Sequence, residues 1–153
     1  SLAIIEYLNE IVPEPPLLPA DAYGRARCRE IAYVVACDIH PVNNLRVGRY
    51  MKKLYDTSDD DTARWHRHWI KIGFDAIEAV LASGGHTGKF CEGDTPTLAD
   101  CCLIPQVYNA RRFEVSLSPY PTIAAIDAAC AKLDAFRRAA PEAQADAPAM
   151  DQQ

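Results

Sequence analysis

GDTPTLADCCLIPQVYNARRF, residues 93–113, carries the clearest helix signal in the chain. Thr97 followed three residues later by Asp100 reads as a capping box, each side chain closing on a backbone N–H that an opening helix leaves without a partner. Glu or Gln is the usual residue at the second position, and Asp serves there. The helix so opened carries Leu98, Cys101, Cys102, Pro105 and Tyr108 on one stripe, with Pro105 inside it. Arg112 falls on the same stripe, seven positions after Pro105. An arginine among apolar neighbours needs an anionic partner, because its charge cannot be shed. Either it grips a carboxylate or phosphate brought from outside, or it makes a structural ion pair with an Asp or Glu of this chain. Arg111 points elsewhere.

Working outward, residues 56–85 read as a long helix with acidic residues at its start and a Gly-Gly stop. Trp65, Trp69, Ile72, Ala76 and Val80 form one apolar stripe, and Ile70, Phe74, Ile77 and Leu81 a second. SPYPT turns the chain into a last helix over about 122–138. Residues 141–153, rich in Ala, Pro, Gln and Asp, read as a mobile tail with little to bury. Upstream, residues 20–55 are helix-rich, with Pro41 expected to bend or break the run, since it supplies no N–H and its ring crowds the Cys37 carbonyl. Residues 12–19 carry a proline cluster and read as an extended linker. Residues 1–11 place Ile4, Ile5, Leu8 and Ile11 on one helical stripe. The strand-like alternation is confined to FEVSL, so the chain reads as all-α with five or six helices.

At 153 residues there is room for one core and not for two ordinary domains. A net charge of −5 gives no basic footprint for nucleic acid, and no apolar run approaches a membrane span. The six cysteines show no zinc spacing, and four sit in helical segments among apolar residues, as suits a reducing, cytoplasmic compartment. No metal site is expected.

Chemistry-bearing residues are few. His66 and His68 point about 200° apart on a helix, so one metal cannot reach both, and they read as solvated face residues. His86, in a glycine-rich loop, reads as a surface residue. His40 differs, standing before Pro41 and followed by Asn43 and Asn44. On an ideal helix His40 and Asn44 share a face while Arg46 lies about 120° off it. This cluster is either a site or a capped kink. No nucleophile and base pair and no phosphate loop is evident.

SLAIIEYLNE, PLLPADAYGRARCREIA, CDIHPVNNLRV, GDTPTLADCCLIPQVYNARRF and SPYPTI together resemble the zeta class of glutathione transferases, the maleylacetoacetate and maleylpyruvate isomerases, over nearly the whole chain except the tail. GDTPTLAD alone indicates the wider transferase helical domain, whereas the His-Pro-x-Asn-Asn and Ala-Arg-Arg-Phe runs are specific to zeta-like members. The resemblance implies a fold class: an all-α glutathione transferase C-terminal helical domain (20–140), with linker 12–19 and tail 141–153. Helix 1–11 would be the last of a thioredoxin-like α/β domain that is mostly missing. It implies glutathione as cofactor, held by Ser1, His40, Asn44, Leu45 and Arg46, with Ser1 matching the serine of a Gln-Ser pair that holds the γ-glutamyl carboxylate. It implies that Arg112, with Arg46, binds a small dicarboxylate, and that Arg46 stabilises enolate charge. The reaction implied is cis-trans isomerisation: a thiolate adds to the cis double bond, the resulting single bond rotates, and elimination follows. A homodimer is implied as well, and the chain alone would be inactive, lacking the thiolate-activating motif. The alternatives are a conjugating or dehalogenating transferase and a non-catalytic helical interaction module.

Overall fold

A computed structural model describes residues 1–147. Helices α1 (Leu2–Ile11), α2 (Ala22–Tyr33), α3 (His40–Val42), α4 (Leu45–Tyr55), α5 (Asp59–Ala82), α6 (Leu98–Arg112), α7 (Pro121–Cys130) and α8 (Asp134–Ala139) follow in order, with a π-helical segment at Val34–Ile39 and a 3-10 turn at Pro141–Ala143. The last helix expected at 122–138 is two, divided where Leu133 turns in to pack on the core.

The buried centre of α6 explains why its cap is the pivot of the fold. Asp100 is fully buried and accepts from Thr97 N at 2.7 Å, Thr97 Oγ1 at 3.0 Å and Cys91 N at 2.9 Å. One carboxylate thus closes the capping box and fastens the loop that precedes it. The Leu98 N–H, another donor freed at this helix start, reaches Leu17 O at 2.8 Å, which docks the proline-rich segment onto α6. Leu17 N in turn donates to Asn9 Oδ1 at 2.7 Å, and Arg29 Nε to Glu6 Oε1 at 2.8 Å, so α1 is tied to the helical body.

The fold class expected from the sequence, an all-α glutathione transferase C-terminal helical domain with most of a thioredoxin-like α/β domain missing, is corrected to the helical chain itself, with α1 tied into it. Among the described residues there are helices, turns and one isolated bridge between Thr87 and Gly93, and no strand. The class is that of the helices present, α1 included. A second expectation divides at residue 148: the mobile tail was assigned to 141–153, but 141–147 contains the 3-10 turn, and 148–153 lie outside the described residues.

Of the two stripes on α5, the second is the core one: Ile70, Phe74, Ile77 and Leu81 are buried, while Ile72 is 48% exposed. Ser58 and Asp61 form its capping box, with both bonds at 3.1 Å. Farther along, Glu78 lends both carboxylate oxygens to Thr122 N (2.8 Å) and Ile123 N (3.0 Å), capping α7, whose own N-cap Tyr120 offers no side-chain bond. Gly73 lets α5 pass close to the π-helical segment. A Cβ there would stand 2.3 Å from Ile39 Cδ1.

Asp100→Ala should lower stability by about 3 kcal/mol or more, since it strands buried donors as well as removing a charged acceptor; urea denaturation followed by helical circular dichroism measures this. Gly73→Ala should cost about 1–3 kcal/mol despite the better helix propensity of alanine, because the core is overpacked at Ile39. Adding Ile39→Val should recover part of that loss in the same experiment.

Candidate functional site

Pro41 does not break the helix where expected. The helix widens before it, with the His40 N–H bonding to Val35 O five residues back, and the run continues to Val42. A π-helical turn admits one extra residue and gives room for the proline ring that would otherwise crowd the carbonyl beneath it. The break comes instead at Asn43 and Asn44, so the face that His40 and Asn44 share on an ideal helix does not exist here. Asn44 is the N-cap of α4, its Oδ1 accepting from Arg46 N at 3.1 Å. That bond uses the side-chain oxygen assigned from sequence to ligand binding. The kink is capped by Asn44, and His40, Leu45 and Arg46 stand exposed around it.

Two features of the kink were not singled out from sequence. Trp65 Nε1 donates to Val42 O at 2.9 Å, so α5 holds the end of α3 from below. Asn43 is buried at 8% exposure, and neither its amide oxygen nor its nitrogen has a hydrogen-bond partner. The spacing of His40, Pro41 and the two asparagines pointed to the place, but not to which asparagine turns inward.

Ser1 is the N-cap of α1. Its carbonyl accepts from Ile4 N and Ile5 N, both at 3.0 Å, while its hydroxyl makes no capping bond and stays available. Burial pushes the Cys102 thiol up to about 11.

Arg112 ends α6. The helix closes there in a Schellman motif: Glu114 takes a left-handed φ of 58°, its N–H bonds to Arg111 O at 2.9 Å, and Val115 N bonds to Ala110 O at 2.9 Å. Arg111 pairs with Asp127 at 2.5 Å, as a residue pointing elsewhere should. Arg112 has no ion pair among the described residues and is exposed. Tyr108, one helical turn earlier, lines a cavity of about 420 Å³ with Ile104, Pro105, Phe136 and Pro141. The Glu142 carboxylate beside the Tyr108 phenol raises its pKa, and the nearby Arg112 charge opposes this. No hydrogen bond or ion pair among the described residues joins Arg112 to His40 or Arg46.

The other histidines divide. His68 is exposed, but His66 is buried at 6%, contrary to the solvated face expected for both. His86 is 40% exposed, with Nδ1 3.6 Å from Glu92. Glu92 makes the buried pair of the fold with Arg27 Nε at 2.9 Å. Among the described residues no His, Cys, Asp and Glu gather as a metal site, and no helix is long and apolar enough to cross a membrane.

No family model matches the chain. It is 57% identical over 146 residues to the maleylpyruvate isomerase of a Ralstonia species, a match over 95% of this chain and 69% of that protein. Among solved structures, a holo maleylpyruvate isomerase described as a bacterial glutathione S-transferase of the zeta class superposes with a TM-score of 0.94 at 56% identity, covering 95% of this chain and 69% of the other. The maleylacetoacetate isomerase of Anaeromyxobacter dehalogenans, with dicarboxyethyl glutathione and citrate in its active site, gives 0.92 at 45% identity, covering 99% of this chain and 67% of the other. The chain thus spans about two thirds of the length of these relatives. With 99% of it superposed, α1 matches along with the other helices, in keeping with the corrected fold class. On this identity and coverage, the chain belongs to the zeta-class glutathione transferases, the family of maleylpyruvate and maleylacetoacetate isomerases.

Proposed function

We propose that the gene product carrying this chain is a glutathione-dependent cis-trans isomerase acting on maleylpyruvate or maleylacetoacetate. The observation that carries the reading is Arg112: a guanidinium at a rigidly closed helix end, exposed, with no ionic partner among the described residues. Pro105, Tyr108 and Arg112 of that stripe are exposed rather than buried, and no Asp or Glu among the described residues pairs with the guanidinium, which supports an external anion. Relatives with dicarboxyethyl glutathione and citrate in the active site support a ligand of that chemistry.

Ser1, His40, Leu45 and Arg46 fit glutathione by what they leave free. The Ser1 hydroxyl is unused in capping, and His40 and Arg46 carry exposed side chains beside the α4 N-terminus, where unpaired N–H groups favour an anion. Asn44 contributes by holding that N-terminus in shape through its bond to Arg46 N. When bound, glutathione supplies the thiol whose reversible addition turns the cis double bond into a rotatable single bond. The chain's own part is to hold and orient. Arg112 would take a substrate carboxylate in the bidentate manner that fixes both charge and direction. Arg46 would face the negative charge that develops next to the reacting carbon, and a fixed cation there lowers the barrier most when the charge forms only in the transition state.

The reading extends to a cytoplasmic location, which six free cysteines suit, and to a homodimer. Sedimentation of the gene product should give twice the monomer mass.

Incubated with maleylpyruvate and maleylacetoacetate, the gene product should form the trans acid only when glutathione is present and leave the glutathione pool undiminished. Stoichiometric loss of the thiol would mean conjugation and overturn the isomerase reading. Arg112→Ala should lower kcat/KM by roughly 100-fold, the scale of a lost charge-assisted pair of bonds of about 2.7 kcal/mol, with an unchanged circular dichroism spectrum.

A further inference from the structure

His66 occupies a core position of α5, one turn before Ile70 and two before Phe74, and nothing in the chemistry above uses it. Its Nδ1 is enclosed and has no hydrogen-bond partner. A buried polar nitrogen left unpaired is a cost, so the ring earns its place by another contact. That contact is Phe113: the two rings stack with centroids 4.0 Å apart and planes 7° from parallel.

Phe113 is the C-cap of α6 and immediately follows Arg112. The Arg112 guanidinium carbon lies 5.9 Å from the centre of the same ring, within reach of a cation–π contact. The backbone is fixed too, for Arg67 Nε donates to Phe113 O at 2.9 Å while Arg67 Nη2 reaches Glu114 at 3.2 Å. Two neighbouring side chains of α5 therefore hold Phe113, one by its ring and one by its carbonyl. Burial, and then the Arg112 charge, lower the His66 pKa and keep the imidazole neutral, the form that lies beside a guanidinium without repelling it.

We propose that His66 is a positioning residue for the carboxylate-binding arginine: by stacking on Phe113 it fixes the aromatic surface against which Arg112 rests, so that the guanidinium meets a dicarboxylate already aimed. It touches no substrate atom. The inference rests on Arg112 being the carboxylate-binding residue, and its physical basis is preorganisation, since an arginine already held loses less side-chain freedom on binding.

The test uses the gene product with glutathione present and malonate as the probe, its dissociation constant read by calorimetry and helicity by circular dichroism. His66→Ala should weaken malonate three- to tenfold and raise KM for the isomerised acid by a similar factor, with kcat within twofold of the parent. His66→Phe keeps a ring on Phe113 and should bind malonate as the parent does. On an Arg112→Ala background, His66→Ala should add no further loss. Should His66→Ala lose helicity, His66→Leu replaces it, filling the space without a flat face. Unchanged malonate affinity in a folded His66→Ala, or equal weakening by Phe and Ala, overturns the proposal and leaves the function standing. Unchanged affinity in Arg112→Ala overturns both.

Discussion

The buried carboxylate of Asp100 is the constraint on which the rest of the structure depends. A charge taken fully out of water is tolerated only when hydrogen bonds replace its hydration, and here three donors do so, two from Thr97 and one from Cys91. Because one of those donors is Cys91 N, nine residues upstream, the start of α6 cannot form without the loop before it closing. Leu98 N then recruits Leu17 from the far end of the sequence. Helix start, loop and proline-rich segment become one cooperative unit, with α6 as its axis.

From that axis the two arginine-bearing ends acquire their geometry in different ways. Arg112 is placed by the closure of α6, where Glu114 accepts an unfavourable left-handed conformation and Arg67 secures the preceding carbonyl. The site around His40 is placed from outside its own helix. Trp65 holds the Val42 carbonyl, and Gly73 admits Ile39 so closely that α5 acts as the bed on which the kink lies. Helix α5 thus touches both ends, although it contributes no side chain assigned to ligand.

The sequence was informative where chemistry is local. The capping box at Thr97 and Asp100 was legible because it needs only a three-residue spacing, and so was the different direction of Arg111 from Arg112, about 100° apart on a helix. It misled where neighbours decide. His66 read as solvated because it and His68 point too far apart to share a ligand, yet Phe113, distant in sequence, covers it. The stripe of Trp65 and Ile72 matched helical periodicity as well as the true core stripe did, and which one turns inward depends on where the π-helical segment and α7 lie. Pro41 suggested a break, whereas the extra residue of a π-helical turn absorbed it, and the chain parted at the asparagines instead. The fold class was misjudged because a family pattern led the description toward residues that lie outside this sequence.

The π-helical turn at Val34–Ile39 gives the kink a property that contact lists do not express: it sets a phase. An ordinary α-helix accommodates the same ends with one residue fewer, each residue advancing the helix by about 100°. The bulge is therefore a stored insertion: deletion of one of its residues would leave a sound helix with His40 still in phase, whereas the same deletion in a plain α-helix would turn every downstream residue by about 100°.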